Sequence, residues 1–347
     1  MNLEKIHDLV KWRVIEDYFD YQGLCLDAEQ LRRYKYCEDK FEALFTDKAI
    51  QYKLRDYHFV INNDWACNAF ARRNKGYNII GITCAYPIIM SDIFDEKYFS
   101  SLILIGLMND VSMSNAYADL YNLERFQLNK FMLDCSIQFT FGHEFQHILQ
   151  FSSSKSTINH YKSENLDKSE FKMKDHAWEF DADRFAAFEV LKYIFEIKRE
   201  HQVKDDKIFF CMLYLGLGSI FITKVFFYLG LEDPTQKIGK IEFYTKKHSH
   251  PHPIIRLCNI TDYFYDNVKD FFPKLIVDQQ DFLNNAFGLI KIYFNSYLPK
   301  SKVIDEIFKD LDLHLDTIYS YNEELFDYAI NDQSIRNLLT MRGINFE

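Results

Sequence analysis

The first 56 residues place apolar side chains three or four positions apart among many charged ones, which is the spacing of an α-helix. Leu9, Trp12, Ile15 and Phe19 follow this spacing. The pattern predicts a helical region over residues 1–56, with these aromatic side chains in the core rather than in a ligand site.

From Tyr57 the pattern changes to short apolar runs rich in β-branched and aromatic residues, separated by turn residues. The runs are Tyr57–Asn62, Ala69–Ala71 and Tyr77–Thr83, and the turn sequence Asn74-Lys75-Gly76 lies between the last two. Together they predict a small β-sheet.

Helical spacing returns downstream and predicts helices over residues 129–150, 168–198 and 208–227. The third is the most hydrophobic stretch of the chain, but Lys224 interrupts it before it reaches the ~20 apolar residues that a membrane span needs. We therefore predict a buried core helix there, with a membrane segment as the alternative. The pattern over residues 254–347 predicts a run of short amphipathic helices.

The helix predicted over residues 129–150 contains His143-Glu144-Phe145-Gln146-His147, an HExxH motif. Residues four apart lie on nearly the same side of a helix, so His143 and His147 can offer two imidazole nitrogens to one Zn²⁺. Glu144 lies one position round the helix, where its carboxylate reaches a water on the metal and can act as general base. Since the motif fixes only three residues, the hypothesis needs a third ligand.

The next predicted helix supplies two acidic residues four positions apart, Glu179 and Asp183. Glu179 can complete the metal site and leave the fourth position to water, which is the open arrangement of a catalytic zinc. Asp183 can accept the N–H of a ligand imidazole and so fix its tautomer. Asp181 lies on another helix face and is expected to contribute little. His176, three residues before Glu179, is the alternative third ligand.

HExxH followed by Glu179-Phe180-Asp181-Ala182-Asp183 resembles the gluzincin class of zinc peptidases. Within that class, the second stretch is similar to the EFxAD signature of the family that contains the membrane heat-shock protease and the prenyl-protein (CAAX) protease. Asn68-Ala69-Phe70-Ala71 resembles the NAFA hairpin of that family, and the segment from His250 to Arg256 resembles its histidine-proline segment ending in arginine.

The resemblance covers roughly Tyr57 to Arg256. The chain departs from that family in lacking obvious membrane spans and in separating His147 from Glu179 by only 32 positions, a tighter spacing. HExxH alone also resembles the phage-exclusion Lit-type proteases.

The resemblance implies a mostly α-helical α+β fold. Residues 57–260 would form a zincin-like catalytic domain with a small β-sheet and an active-site helix carrying HExxH. Helical regions at 1–56 and 261–347 would flank it. The resemblance also implies that a hairpin strand carrying Asn68-Ala69-Phe70 binds extended peptide through backbone hydrogen bonds. An ordinary core hairpin is the alternative.

Residues 246–253 contain three histidines and two prolines two positions apart, which excludes a helix interior and predicts a loop. A donor near this loop could stabilise the oxyanion of a hydrolytic reaction, and His250, His252 and Arg256 are the candidates. The resemblance favours His250 and Arg256 as the catalytic pair, with His252 as an alternative. A rigid turn in which Arg256 forms a structural ion pair is the other interpretation.

Composition narrows the class of partner. Lys and Arg number 41 against 51 Asp and Glu, for a net charge of −10, which argues against nucleic acid as the main partner because phosphate binding needs a basic surface. The seven cysteines contain no CxxC pair and their number is odd, so we expect reduced thiols and a cytoplasmic location. The charged N-terminal residues predict no secretory signal.

These patterns together predict a zinc-dependent endopeptidase that acts on protein or peptide substrates with Glu144 as general base. A membrane-associated protease of the same chemistry is one alternative, and whether the protein stays soluble without detergent would discriminate it. A non-catalytic zinc-binding protein is the other alternative. The presence of Glu144 argues against that last class, because a structural zinc site has no use for a base.

Overall fold

The computed structural model describes residues 3–95, 99, 111–153, 160–163, 170–229, 242–275, 278–297 and 302–341. Within these residues the secondary structure comprises α1 (Leu3–Lys11), α2 (Ala28–Tyr52), β1 (Tyr57–Asn62), β2 (Ala69–Asn74), β3 (Tyr77–Thr83), α3 (Tyr86–Ile93), α4 (Val111–Tyr121), α5 (Leu128–Ser153), β4 (His160–Ser163), α6 (Met173–Glu200), α7 (Asp206–Leu229), α8 (Pro253–Phe271), α9 (Gln279–Tyr297), α10 (Val303–Asn331) and α11 (Gln333–Met341). The predicted class, a mostly α-helical α+β fold with a small sheet, is confirmed.

The N-terminal region is less helical than its apolar spacing predicts. The first helix ends at Lys11, and Arg13 adopts a positive φ of 54° that ends helical geometry. Phe19 lies in an extended segment and donates its backbone N–H to the carbonyl of Ile61 at 2.8 Å. Trp12 is 47% exposed, so its predicted place in the core is wrong.

The sheet has the order β1-β3-β2-β4, with β1 parallel to β3 and the other two pairs antiparallel. The hairpin between β2 and β3 turns at Lys75 and Gly76, both with positive φ, where glycine costs the least. Strand β4 lies between the helices predicted over residues 129–150 and 168–198, where the sequence analysis predicts no strand, and it pairs with β2 from Phe70 to Arg73.

Helix α5 lies at the centre of the fold, because nearly all of its side chains from Phe139 to Phe151 are buried. It packs against α6 along much of its length and also against the sheet and α7. Helix α7 is the one described helix that is long and apolar enough to cross a membrane, but 89% of its apolar stretch is buried inside the protein. Its packing on α4, α5, α6 and α9 favours the buried-helix interpretation.

The C-terminal helices pack on the same core as the rest of the chain. A single cluster of buried apolar side chains extends from Phe19 to Leu338 and draws on all three regions predicted from the sequence. Helix α10 is 29 residues long, so the prediction of only short helices in this region is wrong. Its Tyr321 contacts His176 of α6, and its Asn322 donates to the backbone carbonyl of Ile255 on α8.

Candidate metal centre

Two tightly packed helices bring the predicted ligands together. Gly142 precedes His143 on α5, and a Cβ at this glycine would lie only 3.0 Å from the Cα of Ala186 on α6. The missing side chain therefore allows the two helices to approach closely beside the HExxH residues. His143, Glu144 and His147, which follow Gly142 on α5, are all buried.

The side chains of His143, His147 and Glu179 converge in one place. Nε2 of His143 lies 3.1 Å from Nε2 of His147. Each of these nitrogens lies 3.3 Å from a different carboxylate oxygen of Glu179. Two nitrogen ligands at tetrahedral angles around Zn²⁺, with bonds of ~2.0–2.1 Å, would be about 3.3 Å apart. The spacing in the protein fits that geometry.

The tautomer of His143 follows from its neighbour. Its Nδ1 faces Oδ1 of Asp183 at 3.0 Å, and an ionised carboxylate can accept a hydrogen bond but cannot donate one. This proximity favours the tautomer with the hydrogen on Nδ1, in which the lone pair of Nε2 faces the cluster. The structure thus places Asp183 beside Nδ1 of His143, the ring nitrogen opposite the one that faces Glu179.

His147 has a partner that the sequence analysis missed. Its Nδ1 lies 2.7 Å from the side-chain oxygen of Gln150, one helical turn further along α5. Nδ1 of His147 therefore carries the hydrogen, and Nε2 is again free of it. A glutamine three residues after the motif is no recognised motif signal, so the sequence offered no reason to single it out.

The convergence of acceptors favours a cation. The two Nε2 lone pairs meet the carboxylate of Glu179, whose two oxygens are buried and accept no well-aligned hydrogen bond from any described residue. Burial also lowers the pKa of His147, so that its ring stays neutral. Electron-pair donors so close together repel one another, and a cation held between them would offset that repulsion. His143, His147 and Glu179 are accordingly the residues that could hold a metal.

Glu179 is ionised in this environment. Burial acts to raise its pKa, but interactions with the neighbouring His250, His147 and Arg256 side chains outweigh burial and hold the pKa well below its ordinary value. The guanidinium of Arg256 is permanently charged, and its Nη2 lies 3.1 Å from Oε2. A charged carboxylate is the form that binds a divalent cation.

Asp183 is clamped from a second side. Arg256 approaches its two oxygens through Nε and Nη2, each at 2.6 Å. Nζ of Lys224, on α7, lies 3.5 Å from Oδ1. Burial acts to raise the pKa of Asp183, but Arg256 and Lys224 outweigh it and keep the pKa below its ordinary range. Arg256 thus occupies the ion-pair position that the sequence analysis gave as the alternative to an oxyanion role.

The histidine-proline loop places its two candidate histidines, His250 and His252, in different environments. His250 points into the cluster, with Nε2 3.4 Å from Oε1 of Glu179 and Nδ1 3.0 Å from the hydroxyl of Ser249. His252 instead caps α8, because its Nδ1 accepts the backbone N–H of Ile254 at 3.2 Å. The structure therefore places His250 at the site and gives His252 a structural task.

His176 does not join the cluster, which contradicts its candidacy as third ligand. Its Nε2 faces the carbonyl of His248 at 2.6 Å, and its Nδ1 faces the hydroxyl of Tyr321 at 2.9 Å. Both ring nitrogens are therefore engaged by other groups. Burial lowers the pKa of His176 to about 4, so the ring is neutral near pH 7.

The predicted peptide-binding strand is not a free edge. The start of β2 is tied to its own hairpin: the N–H of Asn68 donates to the hydroxyl of Thr83 at 3.0 Å, and that of Ala69 donates to the side chain of Asn68 at 2.8 Å. From Phe70 onward β4 pairs with β2. The edge on this side of the described sheet therefore belongs to β4, because the chain between α5 and α6 returns to the sheet.

β4 also brings a cation that the sequence analysis did not predict. Nζ of Lys162 lies 3.7 Å from Oε1 of Glu179 and 3.7 Å from Oδ1 of Asp175. The side chain of Lys162 is 14% exposed, so it lies between the cluster and the solvent. A cation here adds to the attraction that keeps Glu179 ionised.

Comparison of this chain with protein-family models, with curated proteins and with solved structures finds no match. The resemblance to gluzincins therefore stands on the residues of the site alone.

Proposed function

We propose that this protein is a zinc-dependent peptidase. The observation that carries the proposal is the convergence of His143, His147 and Glu179, with Glu144 directly after the first histidine. Two imidazoles and one carboxylate form a donor set typical of catalytic zinc, which leaves one coordination position open. HExxH on a helix is also the arrangement in which the glutamate serves as base of a metallopeptidase.

In this proposal zinc, when bound, lowers the pKa of water to ~7 and polarises the peptide carbonyl as a Lewis acid. Glu144 accepts the proton of the attacking water and then delivers it to the leaving amine. The two histidines are held in the tautomer that binds metal by Asp183 and Gln150. His250, whose Nε2 reaches the edge of the cluster beside Glu179, donates to the oxygen on which negative charge develops.

Arg256 has a different part from the one that the resemblance implies. Since Nε and Nη2 both bind Asp183, the guanidinium fixes the carboxylate that orients His143. We assign the oxyanion contact to His250 and the positioning of Asp183 to Arg256.

A second candidate is a non-catalytic metal-binding protein. The observation that favours it is burial, because Glu144 and both histidines are each only 1% exposed. A substrate needs a route to these atoms, whereas a structural metal site does not.

One experiment separates the two candidates. The wild type and the Glu144→Gln variant are each loaded with zinc and incubated with a library of denatured proteins, and released peptides are counted. Glu189→Gln serves as the control, since Glu189 is a buried glutamate on α6 that pairs with Lys48. General-base assistance typically contributes ~10²–10⁴-fold, so we expect Glu144→Gln to lose that much hydrolysis while keeping its zinc.

Glu189→Gln should retain turnover. Equal peptide release by the wild type and Glu144→Gln would contradict the assignment of Glu144. Zinc binding by the wild type without any peptide release would support the non-catalytic candidate.

A further inference from the structure

The two candidate histidine ligands are oriented by different partners. His143 faces a carboxylate directly, but His147 faces the neutral amide of Gln150. An amide that orients a metal ligand must itself be held, because its oxygen and nitrogen ends could otherwise exchange places. The structure provides that hold from α6.

The amide nitrogen of Gln150 has two acceptors. Nε2 donates to the backbone carbonyl of Trp178 at 3.0 Å and to Oδ2 of Asp181 at 3.1 Å. A carbonyl and an ionised carboxylate can only accept, so the NH₂ end of Gln150 must face them. The oxygen end is thereby turned toward His147. The hydrogen bonds therefore have one direction, in which His147 donates to Gln150 and Gln150 donates to Trp178 and Asp181.

Asp181 is itself fixed. It is 4% exposed, and its Oδ2 also accepts a hydrogen bond from Nε2 of Gln146 at 2.6 Å. Gln146 lies inside HExxH and Gln150 lies one turn later, so both amides extend from α5 to the same carboxylate on α6. These contacts contradict the expectation that Asp181, on another face of the helix, contributes little.

We propose that Gln150 and Asp181 are positioning residues for the metal site, acting as a relay that holds His147 with Nε2 toward the metal. The proposal rests on His147 being a ligand, as the proposed function requires, and extends it to two residues that touch no metal. Asp181 sets the direction of the Gln150 amide, and Gln150 sets the tautomer and the ring angle of His147. A polar partner behind a ligand imidazole typically changes metal affinity or activity by ~10–100-fold.

The test is zinc affinity, measured by competition with a chromogenic chelator on the full chain. Gln150→Leu keeps the approximate volume but removes the acceptor for His147, and we expect zinc affinity to fall by ~10–100-fold. Asp181→Ala should weaken zinc to a similar extent. Because both residues act through one chain of hydrogen bonds, the double variant should lose little more than either single variant.

A buried carboxylate away from the cluster provides the matched control. Asp134 on α5 is 3% exposed and accepts hydrogen bonds from Tyr36, Lys40 and Tyr193. Asp134→Asn should reduce the stability of the fold but leave the zinc affinity of the folded fraction within about threefold of the wild type, a bound set well below the ~10-fold lower limit for a group behind a ligand. A loss of affinity in Asp134→Asn as large as in Asp181→Ala would show that general destabilisation explains the result.

A more conservative pair keeps the proposal testable should Gln150→Leu or Asp181→Ala fold poorly. Gln150→Met is unbranched like glutamine and removes the acceptor for His147 with little change of shape, so zinc affinity should again fall by ~10–100-fold. Asp181→Asn keeps the shape of the side chain and an oxygen that can accept from the amides of Gln146 and Gln150. It should therefore hold zinc affinity within about threefold of the wild type, well above the ~10-fold loss expected without the acceptor. Wild-type zinc affinity in Gln150→Met would overturn the relay.

The cobalt-substituted protein supplies a spectroscopic readout. A changed orientation of His147 should alter the visible absorption of Co²⁺ in Gln150→Leu and leave it unaltered in Asp134→Asn.

The relay and the metal site can fail separately. If His147→Ala loses zinc while Gln150→Leu and Asp181→Ala bind it as the wild type does, the relay is wrong and the metal site stands. If His147→Ala binds zinc as tightly as the wild type, both the relay and the proposed metal site are wrong.

Discussion

Nζ of Lys224 lies 3.5 Å from Oδ1 of Asp183, and both side chains are buried. Lys224 is the only charged residue between Ile208 and Leu229, the most apolar stretch of the chain. An unpaired ammonium in such a place would be costly, so its proximity to the carboxylate of Asp183, behind the candidate metal ligands, accounts for its position there. Lys224, the charged residue that interrupts the apolar stretch, thus lies beside the candidate metal site.

We expect Lys224→Met to lower the free energy of unfolding of the metal-free protein by about 1–3 kcal/mol, because a charge-assisted contact to Asp183 is lost. Arg256 remains to neutralise Asp183, which keeps the loss below that of an unpaired buried charge. Urea unfolding measures the effect. Lys207→Met is the control, since Lys207 is an exposed residue of the same helix that donates to the hydroxyl of Ser112. A Lys224→Met protein more stable than the wild type would show that burying the ammonium costs more than its contact returns.

We expect Glu179→Ala to lose tight zinc binding and His176→Ala to keep it. The carboxylate of Glu179 lies 3.3 Å from both candidate imidazole ligands, whereas the ring nitrogens of His176 face the His248 carbonyl and the Tyr321 hydroxyl. Zinc content after dialysis against a weak chelator measures the difference. Zinc should also raise the unfolding midpoint of His176→Ala and leave that of Glu179→Ala unchanged, because ligand binding adds to folding stability. The reverse pattern would make His176 the third ligand.

The pairing of residues within the site was predictable because it follows from the period of the helix. His143 and His147 on one helix, and Glu179 and Asp183 on the next, are each four positions apart, and this spacing alone places each pair on one side. The spacing does not show that the two helices contact each other. That contact was inferred from chemistry, because a zinc site with two histidines needs a third ligand.

The role of Asp181 could not be found in this way. Every residue of α6 from His176 to Asp183 is buried. The pattern of apolar and polar residues therefore does not show what each face of this helix contacts. A carboxylate two positions from Glu179 points to the other side of the helix, and there it meets Gln146 and Gln150 of α5. Only the tertiary contact shows that both sides of α6 serve the same pair of histidines.

Strand β4 was missed for a related reason. His160-Tyr161-Lys162-Ser163 contains neither a run of β-branched residues nor a clear apolar alternation. These residues are extended because they pair with β2, and a partner distant in sequence leaves no local signal. The same contact brings Lys162 close to Glu179.

We expect Asp183→Asn to weaken zinc binding and to destabilise the fold together. The amide cannot neutralise Arg256 and Lys224, and leaving buried charge without its partner typically costs ~3–5 kcal/mol. Its effect on zinc should be ~10–100-fold, because His143 loses its ionised acceptor. Chelator competition and urea unfolding measure the two effects. Asp183→Asn combined with Lys224→Met removes one of the two cations, and should be more stable than Asp183→Asn alone. Equal stability of the two proteins would contradict the charge balance described here.

The last prediction concerns pH and lies on α8, away from the cluster. Asp262 is half-buried, and burial together with the charge of Asp266 raises its pKa to about 6, although Arg184 acts in the opposite direction. The folded protein therefore holds a proton on Asp262 at a pH where the unfolded chain, with an ordinary pKa of 3.8, has released it. The ionised form of Asp262 thus lowers the free energy of unfolding. The full penalty applies above about pH 6, and it shrinks as the pH falls from about 6 toward about 4. A shift of this size corresponds to ~3 kcal/mol, which solvent screening at a half-exposed group reduces to ~1–2 kcal/mol.

We expect Asp262→Asn to raise the free energy of unfolding by that ~1–2 kcal/mol at pH 7.5 and by roughly half as much at pH 5. Urea unfolding at the two pH values measures it, with Asp270→Asn, an exposed position on the same helix, as control. A gain that is equal at both pH values, or equal to that of Asp270→Asn, would show that Asp262 does not titrate in this range.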